Sequence, residues 1–143
     1  MDGTILEEEC IDEIADLVGK GSEVRSITAQ AMKEGLNFDE SLQKRLALLK
    51  GTELEVLEHC LSKKINVRPG AVTLFRTFKK HFGKTAILSG GFTYFADHIQ
   101  KELKADFSFA NVLEYKEGRL TGKALGTIVN AEKKLELMKQ LIA

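Results

Sequence analysis

Apolar residues recur at helical spacing through the first half of the chain. Ile11, Ile14, Leu17 and Val18 follow the acidic run Glu7–Glu9 and stop at Gly19. Acidic side chains favour the positive end of a helix dipole, and glycine suits a helix stop, so a helix is expected here. A second is expected from Ser22, carrying Val24, Ile27 and Ala31 and stopping at Gly35. Asn37 and Glu40 fit a capping box ahead of Leu42, Leu46 and Leu49, with a stop at Gly51. Thr52 and Glu55 repeat that logic ahead of Val56, Leu57 and Leu61. Four short amphipathic helices with brief loops predict a small bundle.

The pattern changes after Arg68. A helix carrying Val72, Leu74, Phe75 and Phe78 is expected to end at Gly83. A short strand, Thr85–Leu88, then runs into a Ser89-Gly90-Gly91 turn, followed by a helix with Phe95, Ile99 and Leu103. Strand and helix in alternation predict an α/β unit. The stretch "FSFANVLEYKEGRLTGKAL" reads as two strands with Glu117-Gly118 at the hairpin turn. A last helix, from about Glu132, places Leu137, Met138 and Leu141 on one face.

Composition narrows the function classes. The 143 residues suit one domain, or a small domain carrying an insert. With 43% hydrophobic and 29% charged residues, the chain can pack a core and is not of disordered type. Basic and acidic residues balance at 21 each, which argues against a nucleic-acid surface. Cys10 and Cys60 stand alone, without CxxC or histidine at ligand spacing, as expected of packed thiols in a reducing cytoplasm. No apolar run approaches the roughly 18 residues of a membrane span, and the acidic start is unlike a signal peptide. A cytoplasmic protein without membrane partners is expected.

One stretch carries chemistry on its own. "ILSGGFT" places Ser89 at the end of a strand, where open α/β sheets bind ligands. A hydroxyl, glycine amides and a following helix N-terminus can together hold an anion, although the same glycines also suit an ordinary strand-to-helix connection. Read alone, Asp2 is a turn residue, Lys133 and Lys134 belong to a solvated helix face, and Arg45 is a snorkelling surface arginine. His59, His81 and His98 have no serine or cysteine partner at recognisable spacing and are expected at the surface.

Taken together, "MDGTILEEECIDEIA", "ITAQAMKEGLNFDESLQKRLALLKG", "RPGAVTLFRTFK", "AILSGGFT" and "EGRLTG" resemble, in order and spacing, the haloacid dehalogenase (HAD) superfamily and its phosphoserine phosphatase branch. The resemblance covers essentially the whole chain. It implies an α/β fold, a HAD-like Rossmannoid core with an inserted four-helix-bundle cap. Residues 1–5 would hold a remnant of the first catalytic motif, 6–67 the cap and 68–143 part of the core. It implies hydrolysis of O-phospho-L-serine with Mg2+. Asp2 matches the motif's second aspartate, which protonates the leaving alkoxide and then activates water, and its main-chain carbonyl matches a metal ligand. Thr4 matches the motif threonine. Ser89 and Gly90 match the phosphoryl-binding pair, and Lys134, with Lys133 one step away, the phosphate-neutralising lysine. Glu9 and Arg45 match the groups that read the substrate's ammonium and carboxylate. Met32 and Phe38 match apolar cap residues closing over the site.

Two parts of the family pattern lie outside these 143 residues. The attacking aspartate falls one position before Met1, and the Gly-Asp-Gly metal motif would follow the last helix. The resemblance therefore predicts a sequence truncated at both ends, inactive alone and not a tight Mg2+ binder. It also predicts Thr85–Leu88 without a pairing partner, poor stability of the α/β half, and an incomplete sheet open to self-association. Two other readings stay open: a related phosphatase for another small phosphate ester, and a module that binds phosphoserine or a partner without turnover.

Overall fold

The structure, a computed structural model, describes residues 1–143. Four helices open it: α1 (Cys10–Leu17), α2 (Gly21–Glu34), α3 (Phe38–Leu48) and α4 (Leu54–Lys63). Gly35 ends α2 in the left-handed region, at φ 66°. Asn37 caps α3, its side-chain oxygen accepting from the Glu40 amide at 2.8 Å. Two expected starts move. Helix α1 begins at Cys10 because Glu7 and Glu8 are engaged elsewhere: the Glu7 amide donates to the Asn66 carbonyl, and the Glu8 carboxylate takes the Asn66 amide at 2.9 Å. Thr52 does not cap α4. Its residue is buried, and its carbonyl accepts from the Leu120 amide at 2.8 Å, so strand pairing displaces the capping box.

The second half is α5 (Ala71–Phe82), β1 (Ala86–Phe92), α6 (Thr93–Leu103), β2 (Phe107–Lys116), β3 (Arg119–Leu125) and α7 (Ala131–Ile142). The sheet order is β1-β2-β3. β1 and β2 run parallel, linked by α6, whereas β2 and β3 form the expected hairpin. Glu117 and Gly118 both have positive φ, 53° and 73°, the requirement of a tight two-residue hairpin turn.

Two expectations about β1 are corrected. Thr85–Leu88 is not left unpaired, since Ala86, Ile87 and Leu88 lie opposite Phe107, Ser108 and Phe109. Nor does the chain turn at Ser89-Gly90-Gly91. The strand continues to Phe92 through a register shift between Leu88 and Phe92. Neither Gly90 nor Gly91 has positive φ, so these glycines supply space rather than a special backbone angle.

The hairpin joins the helical half. Its Gly118 and Leu120 carbonyls accept from the amides of Leu54 and Gly51, and Arg119 donates to the Gly51 carbonyl and pairs with Glu53. Gly122, at φ 85°, lets β3 lie against α3. A Cβ there would stand 3.1 Å from Lys50 Cβ and 3.2 Å from the Leu46 carbonyl. At the other end, Leu6 bridges to Val67 and the Arg68 amide donates to the Ile5 carbonyl, so the α1–α4 excursion leaves and rejoins the α/β half at one place.

One core runs through both halves, from Leu6, Ile14 and Leu57 to Phe92, Phe95 and Ile99. Cys10 and Cys60 are free and buried in it, as expected. Burial pushes the Cys60 thiol up to about 12, and pushes Cys10 up further beside Asp2, so neither is a ready thiolate. The three histidines lie at the surface. No helix is long and apolar enough to cross a membrane.

Candidate active site

The chain's first turn is built around one carbonyl. The amides of Thr4, Ile5 and Leu6 all donate to the Met1 oxygen, which swings Asp2 inward against the start of α1. Asp2 Oδ2 accepts from the Cys10 amide at 3.1 Å, and Oδ1 takes the Cys10 thiol at 3.5 Å. Cys10 is the first residue of α1, so Asp2 meets the positive end of that helix. Burial nevertheless outweighs these hydrogen bonds and holds the Asp2 carboxyl above its ordinary value.

Ser89 and the two glycines form the facing wall. The Gly91 amide donates to Ser89 Oγ at 2.9 Å. A Cβ on Gly91 would come within 3.1 Å of Ser89 Oγ and 3.4 Å of Asp2 Oδ1, so a side chain there would require carboxylate or hydroxyl to give by a few tenths of an ångström. A Cβ on Gly90 would stand 2.9 Å from Phe38 Cζ. Phe38, in the first turn of α3, therefore rests on the strand backbone and roofs the cavity.

Arg45 completes that roof. It is half-buried rather than a free surface arginine. Nε donates to the Ser41 carbonyl at 3.2 Å, and the guanidinium lies 6.0 Å from the Phe38 ring centre. Burial lowers its proton affinity, while the nearby Asp12 and Glu9 oppose that shift. Burial, with Asp2 and Asp12 nearby, raises Glu9. Lys134 reaches the same space from α7, whose first turn is capped by Asn130. Lys133 turns away to pair with Glu136 at 2.8 Å.

Asp2, Glu9, Phe38, Arg45, Ser89, Gly90 and Lys134 thus line one cavity of about 180 Å³. Two expected members do not. Met32 is 84% exposed, because α2 turns Val24 and Ala31 inward instead. Thr4 is exposed in the turn after Asp2, where its amide helps to close the loop. The residue-by-residue reading also missed Asp12, three residues beyond Glu9 on α1 and a charge partner of Arg45. It missed Asn111, buried behind Gly90.

A family model for haloacid dehalogenase-like hydrolases matches residues 1–143. The chain belongs to that family. This HAD-like chain is 43% identical over 141 residues to a phosphoserine phosphatase of Archaeoglobus fulgidus, covering 99% of itself and 41% of that protein. It is 45% identical over 141 residues to one from Idiomarina loihiensis, covering 99% of itself and 64% of the relative. It therefore spans about half the length of the relatives it matches. A solved substrate-bound phosphoserine phosphatase complex superposes with a TM-score of 0.91 at 37% identity, covering 99% of this chain and 67% of that one.

HAD phosphatases generally use Mg2+, and Mg2+ demands near-octahedral oxygen ligation. No three His, Cys, Asp or Glu side chains of this HAD-like chain lie close enough to hold a metal. The only carboxylates lining the cavity are Asp2 and Glu9, and Asp2 is hydrogen-bonded to Cys10. These residues do not by themselves form an Mg2+ site.

The raised Asp2 carboxyl has a measurable consequence. An acid raised on folding favours the folded state most below its ordinary value of 3.8, and that contribution is lost as pH rises through the folded value. At neutral pH the charge opposes folding. Asp2→Asn keeps an oxygen for the Cys10 amide and removes the charge, so it should melt higher than the parent at pH 7, and its advantage should shrink at acid pH. Thermal melts at both pH values check this; a lower Tm for the Asn variant at pH 7 would contradict it.

Proposed function

We propose that the native protein hydrolyses O-phospho-L-serine to L-serine and phosphate. The observation that carries this reading is the charge layout of this cavity. Glu9 and Arg45 stand on the helical side, and Ser89, Gly90 and Lys134 on the strand side. Phosphoserine carries an ammonium, a carboxylate and a phosphate, and each finds its opposite there. The cavity's size suits an amino-acid phosphate rather than a nucleotide or a phosphoprotein side chain with its backbone.

The chemistry follows from placement. Phosphoryl transfer is governed by positioning and charge neutralisation. The Ser89 hydroxyl and the Lys134 ammonium take the phosphoryl oxygens. Glu9 and Arg45 fix the serine end, so the ester oxygen faces Asp2. In the family pattern the attacking carboxylate is the first aspartate of the motif, one position before Met1. It bonds to phosphorus as the bond from phosphorus to the serine oxygen breaks, and that oxygen takes the proton of Asp2. Asp2 then removes a proton from the water that cleaves the aspartyl-phosphate. A carboxyl raised by burial suits both directions of transfer. Residues 6–67 act as the movable cap, with Phe38 as its apolar contact. Mg2+ dependence and a cytoplasmic location belong to this reading and rest on the family resemblance and the two free buried thiols.

Initial rates of the native protein on phosphoserine, phosphothreonine, glycerol phosphate and p-nitrophenyl phosphate test the proposal. Phosphoserine should give the highest kcat/KM. A preference for an ester without amino and carboxylate groups would sink it.

A further inference from the structure

Behind the cavity wall lies a carboxamide that the chemistry above does not use. Asn111, on β2 opposite Phe92, is 1% exposed. Its Nδ2 donates to the Gly90 carbonyl at 2.9 Å, and its Oδ1 accepts from the Val129 amide at 2.7 Å. The peptide joining Gly90 to Gly91 is therefore held from both sides, its carbonyl by Asn111 and its amide by Ser89 Oγ at 2.9 Å. That arrangement has a directional result. Ser89 Oγ receives a hydrogen bond from the backbone, so its single proton is left to donate into the cavity. Val129 immediately precedes Asn130, the cap of α7, and α7 carries Lys134.

We propose that Asn111 is a positioning residue for phosphate binding. It ties the hydroxyl-bearing strand segment to the start of the lysine-bearing helix, so that Ser89 and Lys134 face one anion at fixed separation. The inference rests on the reading of this cavity as a phosphate-ester site. A carboxamide is required because one partner is an acceptor and the other a donor. Asp would still accept from Val129, but would set a carboxylate oxygen against the Gly90 carbonyl. Leu would leave both backbone groups buried and unpaired, a loss that costs far more than a typical hydrogen bond contributes.

The test uses the native protein and the variant Asn111→Asp, with inorganic phosphate and L-serine as calorimetric titrants, well below each variant's melting temperature. Affinity for inorganic phosphate should fall by roughly tenfold to a hundredfold. Affinity for L-serine, which engages only Glu9 and Arg45, should stay within about a factor of two, a difference no general loosening of the fold would produce. Unchanged phosphate affinity, or equal losses for both ligands, overturns the assignment. Wild-type protein that binds phosphate but not L-serine would sink the substrate reading instead, and the phosphate titration would then decide Asn111 alone. Should the Asp variant fail to fold, hydrogen exchange in the wild type decides. Saturating phosphate should slow exchange of the Asn111 side-chain amide and the Val129 backbone amide together, and unchanged exchange at both overturns the proposal.

Discussion

Lys134→Ala is expected to lower kcat/KM for phosphoserine by about a hundredfold to a thousandfold in the native protein, the range seen when a preorganised charge-stabilising group is removed. Lys133→Ala is expected to change it by less than about a factor of two, since exposed lysine pairs contribute little. Adjacent residues of one type on one helix make a stringent pair. Lys134 lines the cavity with Ser89 and Gly90, whereas Lys133 bonds to Glu136 on the outer face. In the proposed reading Lys134 meets the phosphate, which every substrate shares, so p-nitrophenyl phosphate should lose activity by a similar factor. Equal, small effects of both substitutions would show that neither lysine meets the phosphate.

Arg45→Ala should behave differently. A charge-assisted contact in a closed site contributes about 1.5–3 kcal/mol, so kcat/KM for phosphoserine should fall by roughly tenfold to a few hundredfold. p-Nitrophenyl phosphate has no carboxylate to lose and should change much less. The geometry adds a qualification that charge matching alone does not supply. Arg45 also holds the Ser41 carbonyl and lies beside the Phe38 ring, so part of the loss belongs to a roof that closes less well. Arg45→Lys separates the two contributions. It retains charge without the planar fork, and should recover only part of the phosphoserine activity. Equal losses on both esters after Arg45→Ala would return the residue to a purely structural role.

The helices were legible in sequence because burial repeats about every 3.6 residues along them and each start or stop carries a local signal. The hairpin was legible because Glu117-Gly118 accepts the two positive φ angles its turn needs. What escaped prediction was long-range. Thr52 has the chemistry of a helix cap, but its carbonyl is taken by Leu120 from a strand far along the chain. Asn111 interrupts a strand pattern as one polar residue among apolar ones, and nothing local distinguishes a clamp from a surface asparagine. Ser89-Gly90-Gly91 looked like a turn because glycine pairs usually are. Here the glycines make room for Phe38 and Asp2 while the strand runs on. Asp2, Glu9, Arg45, Ser89 and Lys134 were legible only together. Each taken singly had an ordinary surface or turn explanation, and the resemblance supplied the grouping that the cavity then displays.

The docking of β3 on the end of α3 bears on how such proteins diversify. The excursion between Leu6 and Val67 leaves and returns at one point, the arrangement of a module that could be exchanged without disturbing its host. Yet Gly51, Thr52 and Leu54 are hydrogen-bonded to Gly118 and Leu120, which arrive by a separate route through β2. A transplanted helical segment would bring half of a two-part joint. Recombination that changes the roof of this cavity has to carry the hairpin as well, or find one whose turn and Gly122 already fit the incoming α3.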